Sequence, residues 1–177
     1  MKVITVAGAR PNFMKIAPFM AETESKKIEN VLVHTGQHYD KNMSESFFDE
    51  LKIPRPKYNL GISGGSHAEQ TAKIMISFEK ILDAEKPNCV VVVGDVNSTL
   101  ACALTAKKKN IQVAHIESGL RSNDELMPEE INRILTDRIS DYLFVSEESG
   151  MKNLLKEGYS ENKIYHVGNI MIDTLEK

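Results

Sequence analysis

Residues 89–121 read CVVVVGDVNSTLACALTAKKKNIQVAHIESGLR, and the fold is decided there. Positions 89–93 are apolar without a break, which marks a strand covered on both faces rather than one with a wet side. Gly94 and Asp95 end the run, a helix-compatible stretch follows over 97–109, and 112–116 supplies a second strand. Two strands with a helix between them do not form a hairpin; they lie parallel, joined by a right-handed crossover. Working outward, 3–7, 31–34 and 142–145 are runs of the same kind, and 163–167 is a weaker sixth. Further helices are expected near 13–25, 42–51, 67–86, 128–140 and 147–157. The sequence therefore predicts an α/β protein built on a doubly wound parallel sheet.

Local signals support those boundaries. Ser66 and Glu69 form a capping box for the helix that follows, whose expected apolar face is Ala68, Ala72, Met75 and Leu82. Pro128 followed by Glu129 and Glu130 suits a first helical turn, where proline loses no hydrogen bond and acids meet the positive dipole end. The stretch 54–65, with two prolines and three glycines, reads as a long functional or mobile loop.

At 177 residues the chain is long enough to bury a core without staples. A net charge of −3 argues against recognition by wholesale phosphate neutralisation, so no nucleic-acid partner is expected, although a local cationic pocket remains compatible. Cys89 and Cys102 lack a Cys-x-x-Cys spacing, which argues against a disulfide framework or zinc site and fits a reducing cytoplasm. The five histidines are scattered, and no metal is expected. No apolar run approaches the ~18 residues a membrane span needs, and the short N-terminal one reads as the first strand rather than a signal peptide.

In an open parallel sheet, ligands bind beyond the carboxyl ends of the strands. Polar residues gather at those positions: Gly8-Ala9-Arg10 with Lys15, Gln37-His38, Gly94-Asp95, Glu117, and Glu129-Glu130 at the next helix start. Arg10 and Lys15, at a turn leading into a helix, read either as a phosphate site with free N–H groups or as surface charges. Asp95 and Glu117 suit acid and base roles; alternatively, Asp95 caps the next helix and Glu117 pairs with Arg121. Glu129 is open to a similar alternative, pairing with Arg133 at helical spacing. His34 and His115, within strands, read as satisfied core residues. Gly61-Ile62-Ser63-Gly64-Gly65 matches G-x-S-x-G in the wrong context, since no buried strand feeds it.

Taken in order, Gly8-Ala9-Arg10-Pro11 with Lys15, Thr35-Gly36-Gln37-His38, Gly94-Asp95, His115-Ile116-Glu117-Ser118-Gly119-Leu120-Arg121, Pro128-Glu129-Glu130-Ile131-Asn132-Arg133 and Val167-Gly168-Asn169 resemble the non-hydrolysing UDP-N-acetylglucosamine 2-epimerases. The resemblance implies a Rossmann-like domain forming one half of a GT-B architecture. It also implies interconversion of UDP-N-acetylglucosamine and UDP-N-acetylmannosamine without a cofactor. UDP is eliminated anti across C1–C2, a 2-acetamidoglucal forms, and UDP is re-added. By position, Asp95, Glu117 and Glu129 match the catalytic acids, and Arg10, Lys15 and Arg133 match substrate-site residues. Gln37 and His38 match a stretch that contacts a second, regulatory UDP-sugar in some bacterial members.

The resemblance covers an N-terminal half. Residues 1–177 are expected to be the N-terminal Rossmann-like domain of a homodimeric, two-domain enzyme. The C-terminal nucleotide-binding domain is missing, so the isolated chain is expected to be inactive or nearly so. Two rivals stand beside this reading: a hydrolysing relative that releases free N-acetylmannosamine, and a non-catalytic UDP-sugar-binding module.

Overall fold

In the computed structural model, residues 1–36 and 48–175 are described. Its strands are β1 (Lys2–Ala7), β2 (Glu29–His34), β3 (Tyr58–Asn59), β4 (Cys89–Val93), β5 (Gln112–Ile116), β6 (Tyr142–Val145) and β7 (Ile164–His166). All pair in parallel in a single seven-stranded sheet, in the order β3-β2-β1-β4-β5-β6-β7. The helices are α1 (Arg10–Ser25), α2 (His67–Glu85), α3 (Asn97–Lys108), α4 (Pro128–Ile139), α5 (Glu148–Lys156) and α6 (Ile170–Leu175). This is the doubly wound, Rossmann-like arrangement the strand–helix alternation predicts. The helix expected at 42–51 lies mostly outside the described residues, and Gln37 and His38 lie wholly outside them.

One strand was not expected. Within 54–65, Tyr58 and Asn59 pair with Val33 and His34 and extend the sheet beyond β2. A two-residue strand between prolines and glycines leaves no periodic pattern to read. A second difference concerns α2. Its buried row is Ile74, Phe78, Ile81, Leu82 and Glu85, whereas Ala68 and Ala72 are exposed. The stripe bearing Phe78 and two isoleucines removes more apolar area from water than one built on alanines.

Uninterrupted apolar strands are explained by the two covers. Val90 and Val92 of β4 pack with Ile74, Phe78 and Leu82 of α2 and Ala101 of α3. Cys89, Val91 and Val93 point the other way, onto Phe13, Ile16 and Met20 of α1. α6 returns to pack on α1, with Ile170 against the same cluster. Cys89 and Cys102 are both buried free thiols, and burial pushes Cys89 up to about 11. Among the described residues, no helix is long and apolar enough to cross a membrane.

At the amino end of the strands, Glu85 closes α2 with a side chain only 5% exposed. Lys2 Nζ approaches it at 2.5 Å, Lys57 Nζ at 2.6 Å and the Tyr58 hydroxyl at 2.5 Å, so one carboxylate ties α2 to β1 and β3. These bonds, that of Lys2 foremost, hold the Glu85 carboxyl at about 2 instead of 4.5. Because the folded value lies below the unfolded one, the stabilisation is complete above pH 4.5 and disappears as pH falls towards 2. Glu85→Gln is therefore expected to lower the melting temperature at neutral pH and to flatten the acid side of the melting profile. Thermal melts across that pH window check both effects; an unchanged acid slope would contradict the assignment.

Candidate active site

β1 and β4 are neighbours, but the helices that follow them leave on opposite faces, and the crevice between lies beyond their carboxyl ends. Asn12 fills its floor. Its Oδ1 accepts from the Gly8 and Ala9 N–H groups at 3.0 and 2.8 Å, and its own N–H donates to the Ala9 carbonyl. This bracing starts α1 at Arg10, earlier than the pattern predicts. It also means that the N–H groups of residues 8, 9 and 12 have partners within the chain. Gly8 is required by proximity: a Cβ there would stand 2.5 Å from Ser98 Oγ, which itself bonds Thr35 Oγ1 at 2.7 Å. Lys15 projects from the second turn of α1, and Arg10 stands exposed at its first position.

The two strand-end carboxylates lie just beyond the carboxyl ends of the adjacent strands β4 and β5. Glu117 follows β5 with φ of 71°, a left-handed conformation that a non-glycine residue adopts at a cost. The turn carries its carboxylate to Lys15 Nζ at 2.5 Å, across 102 positions of sequence. Asp95, beyond the neighbouring β4, pairs with Arg133 of α4. Arg133 also bonds Glu130 Oε2 at 2.6 Å. Each carboxylate is thus matched with one cation from a different helix, and both keep exposed surface, 33% for Asp95 and 20% for Glu117. Glu129 sits half-buried in the first turn of α4, with no recorded bond to its carboxylate among the described residues.

The alternative readings of these residues fail in geometry. α3 has Val96 at its N-cap with no side-chain cap bond, so Asp95 does not cap it. Arg121 pairs with Asp137 and Glu157 rather than Glu117. Arg133 takes Glu130 and Asp95 as partners, not Glu129.

The sequence assigns no role to Asn12, Asn132 or Asp137, and marks Glu130 only as an acid at a helix start. Asn132 Nδ2 donates to the Asp95 carbonyl at 2.9 Å, so α4 holds Asp95 by its backbone as well as its side chain. Glu130, 2% exposed, accepts from the Ser122 and Asn123 N–H groups and from Arg133. Burial alone would raise its carboxyl, but those donors outweigh it and hold it lowered. Asp137 anchors a buried group with His115, Gly119 and Arg121. As a result α4 is turned inside out: Glu130, Asn132, Thr136 and Asp137 are buried while Ile131 and Leu135 stand 48% and 46% exposed. Asn12 left a readable trace, an amide three positions after the helix cap. Asp137 left none, because only the tertiary fold shows which side of α4 faces in.

His115 is a satisfied core residue, as its strand position predicts. His34 is buried, and burial lowers its imidazole to about 4. Ser63 lies exposed in the loop before α2, away from any strand-to-helix elbow. Among the described residues no cluster of three or more His, Cys, Asp or Glu could hold a metal ion. Beside Glu117 opens a cavity of about 250 Å³, lined by Phe19, Ile116, Phe144, Val167 and Ile170.

The sequence family described as UDP-N-acetylglucosamine 2-epimerase matches residues 21–177. The chain belongs to that family. Among curated members, the UDP-N-acetylglucosamine 2-epimerase of Methanocaldococcus jannaschii is 53% identical over 173 residues, covering 98% of this chain and 47% of its own length. The UDP-2,3-diacetamido-2,3-dideoxy-D-glucuronate 2-epimerase of Pseudomonas aeruginosa is 48% identical, covering 98% and 50%. A crystal structure of the M. jannaschii epimerase in complex with UDP-GlcNAc and UDP superposes with a TM-score of 0.95 at 52% identity, over 98% of this chain and 48% of that one. The chain therefore spans about half the length of the epimerases it matches, and its fold is that of their corresponding half.

In this epimerase-family domain, Glu130 restrains both Arg133 and the loop before α4. Glu130→Gln keeps the shape but removes the charge that faces Arg133. It is expected to cost about 1–3 kcal/mol of stability, read as a lower urea midpoint with an unchanged slope. A midpoint equal to wild type would show that the buried acid is idle.

Proposed function

We propose that the chain is the N-terminal domain of a UDP-N-acetylglucosamine 2-epimerase, which interconverts UDP-N-acetylglucosamine and UDP-N-acetylmannosamine. One observation supports this most: Asp95 and Glu117 stand on adjacent strand ends, each held by its own cation, over the crevice at the switch in strand order. The C2 proton of the sugar has no neighbouring carbonyl to acidify it. Breaking the C1–O bond, with UDP carrying off the electron pair, builds positive character that nearby carboxylates stabilise. A carboxylate then takes the C2 proton, leaving 2-acetamidoglucal. Re-addition of the UDP oxygen to C1 accompanies protonation of C2 on its opposite face. Two faces call for more than one acid or base, and Asp95, Glu117 and Glu129 supply three. UDP leaves and returns, so the cycle balances without a redox cofactor.

In this reading Lys15 orients Glu117, Arg133 orients Asp95, and Arg10 takes the diphosphate side. Gln37 and His38 belong to a regulatory UDP-sugar site. A second domain completes the cleft, because positioning both ends of the substrate and excluding water need two walls. The reading includes a cytoplasmic homodimer that supplies an N-acetylmannosamine donor for cell-surface polysaccharide; the apolar row on the exposed side of α4 supports self-association.

In the full-length protein, Asp95→Asn, Glu117→Gln and Glu129→Gln should each lower kcat by about 10²–10⁴-fold while UDP-sugar binding persists. Turnover in deuterated water should place deuterium at C2 of the UDP-sugar product, read by mass spectrometry. Release of free N-acetylmannosamine instead of UDP-sugar would replace this reading with the hydrolysing one. The 177-residue chain alone should show little or no turnover in the same assay.

A further inference from the structure

Behind the two carboxylates lies a group that the chemistry above leaves unused. His115 is wholly buried, yet both ring nitrogens are engaged: Nδ1 with Asp137 Oδ1 at 2.7 Å and Nε2 with the Gly94 carbonyl at 2.8 Å. A carbonyl oxygen only accepts, so Nε2 carries a hydrogen. The other Asp137 oxygen accepts from the Gly119 N–H at 3.1 Å and from Arg121 Nη1 at 2.8 Å, the pattern of an ionised carboxylate. Burial would raise that carboxyl, but the His115 and Arg121 bonds and charges outweigh it and hold it lowered. An ionised carboxylate also only accepts, so Nδ1 carries a hydrogen too. The ring donates from both sides.

Its second acceptor matters for the site. Gly94, with φ of 70°, is the residue through which β4 passes into Asp95. Its N–H donates to the Ile116 carbonyl at 3.1 Å, and its own carbonyl receives His115. Both partners belong to β5, so the strand pairing continues one residue beyond its regular end, by way of a side chain. With Asn132 on the Asp95 carbonyl, the peptide groups on both sides of the Asp95 Cα are fixed.

We propose that His115 is a positioning residue for epimerisation: its doubly donating ring, oriented by Asp137 and Arg121, locks the Gly94–Asp95 peptide and so aims the Asp95 carboxylate. The inference rests on the epimerase reading for its catalytic part only.

Its structural part is tested without turnover. In nitrogen-15 NMR of the imidazoles, both His115 nitrogens should show a directly bonded hydrogen, as their two acceptor partners require. A bare nitrogen on His115 overturns the proposal whether or not the protein is an epimerase. The catalytic part uses the full-length protein. His115→Gln keeps one donor and should lower kcat by about 10- to 100-fold, with KM changed less than about 3-fold. Where that variant does not fold, the pair His115→Gln with Asp137→Asn replaces both partners by amides that can bond each other. It should restore a cooperative melt and leave kcat low. Wild-type kcat in either folded variant overturns the positioning role. Absence of turnover in the unmodified protein removes the epimerase reading instead and leaves the NMR result standing.

Discussion

Asp137 has no exposed side-chain surface, and its two oxygens collect hydrogen bonds from His115 on β5, from the Gly119 backbone and from Arg121. A carboxylate placed there without partners would be strongly unfavourable, so the surrounding elements are committed to supplying donors. That commitment sets the rotation of α4. Once Asp137 faces inward, Glu130, seven positions earlier on the same side, is carried in with it, and Arg133 is brought to the edge of the sheet beside Asp95. The layout of the crevice is thus a consequence of one buried charge.

The arrangement has a thermodynamic cost that falls on the outer face of α4. A helix of this size would ordinarily bury its isoleucines and leucine; here Ile131 and Leu135 remain in contact with water. The energy lost from apolar burial is offset by charge-assisted hydrogen bonds, which are stronger away from solvent and more directional than hydrophobic contact. Directionality is what a reaction centre needs. Packing alone would allow Asp95 to drift, whereas hydrogen bonds to its carbonyl and carboxylate, with another to the Gly94 carbonyl, do not.

Strands and most helices could be read directly, because parallel strands buried on both faces leave unbroken apolar runs and helices leave caps. β3 could not, since two residues make no pattern. Asp95, Glu117 and Glu129 could be singled out by position, from the rule that ligands gather at strand carboxyl ends. Their partners could not. Lys15 and Glu117 meet across 102 positions, and nothing local in either segment encodes the other. Helical spacing does not pair Glu129 with Arg133, for a related reason. Arg133 pairs instead with Asp95, beyond the end of β4, and with Glu130 of its own helix. The buried row of α2 cannot be read from spacing alone, because alanines at helical spacing mimic a core stripe without the area to be one.

α6 packs on α1, joining residues 170–175 to residues 10–25. β4 must insert beside β1 after more than eighty intervening residues have been made, as the Lys2–Asn88 contact across 86 positions shows. Parallel pairing over such separations is slow, because the loop must close before the contact gives anything back. A ribosome delivering this chain therefore releases β1, β2 and α1 long before the elements that cover them. Until β4 and α6 arrive, the part of α1 that they cover faces water, and the nascent chain is open to misassociation over that interval.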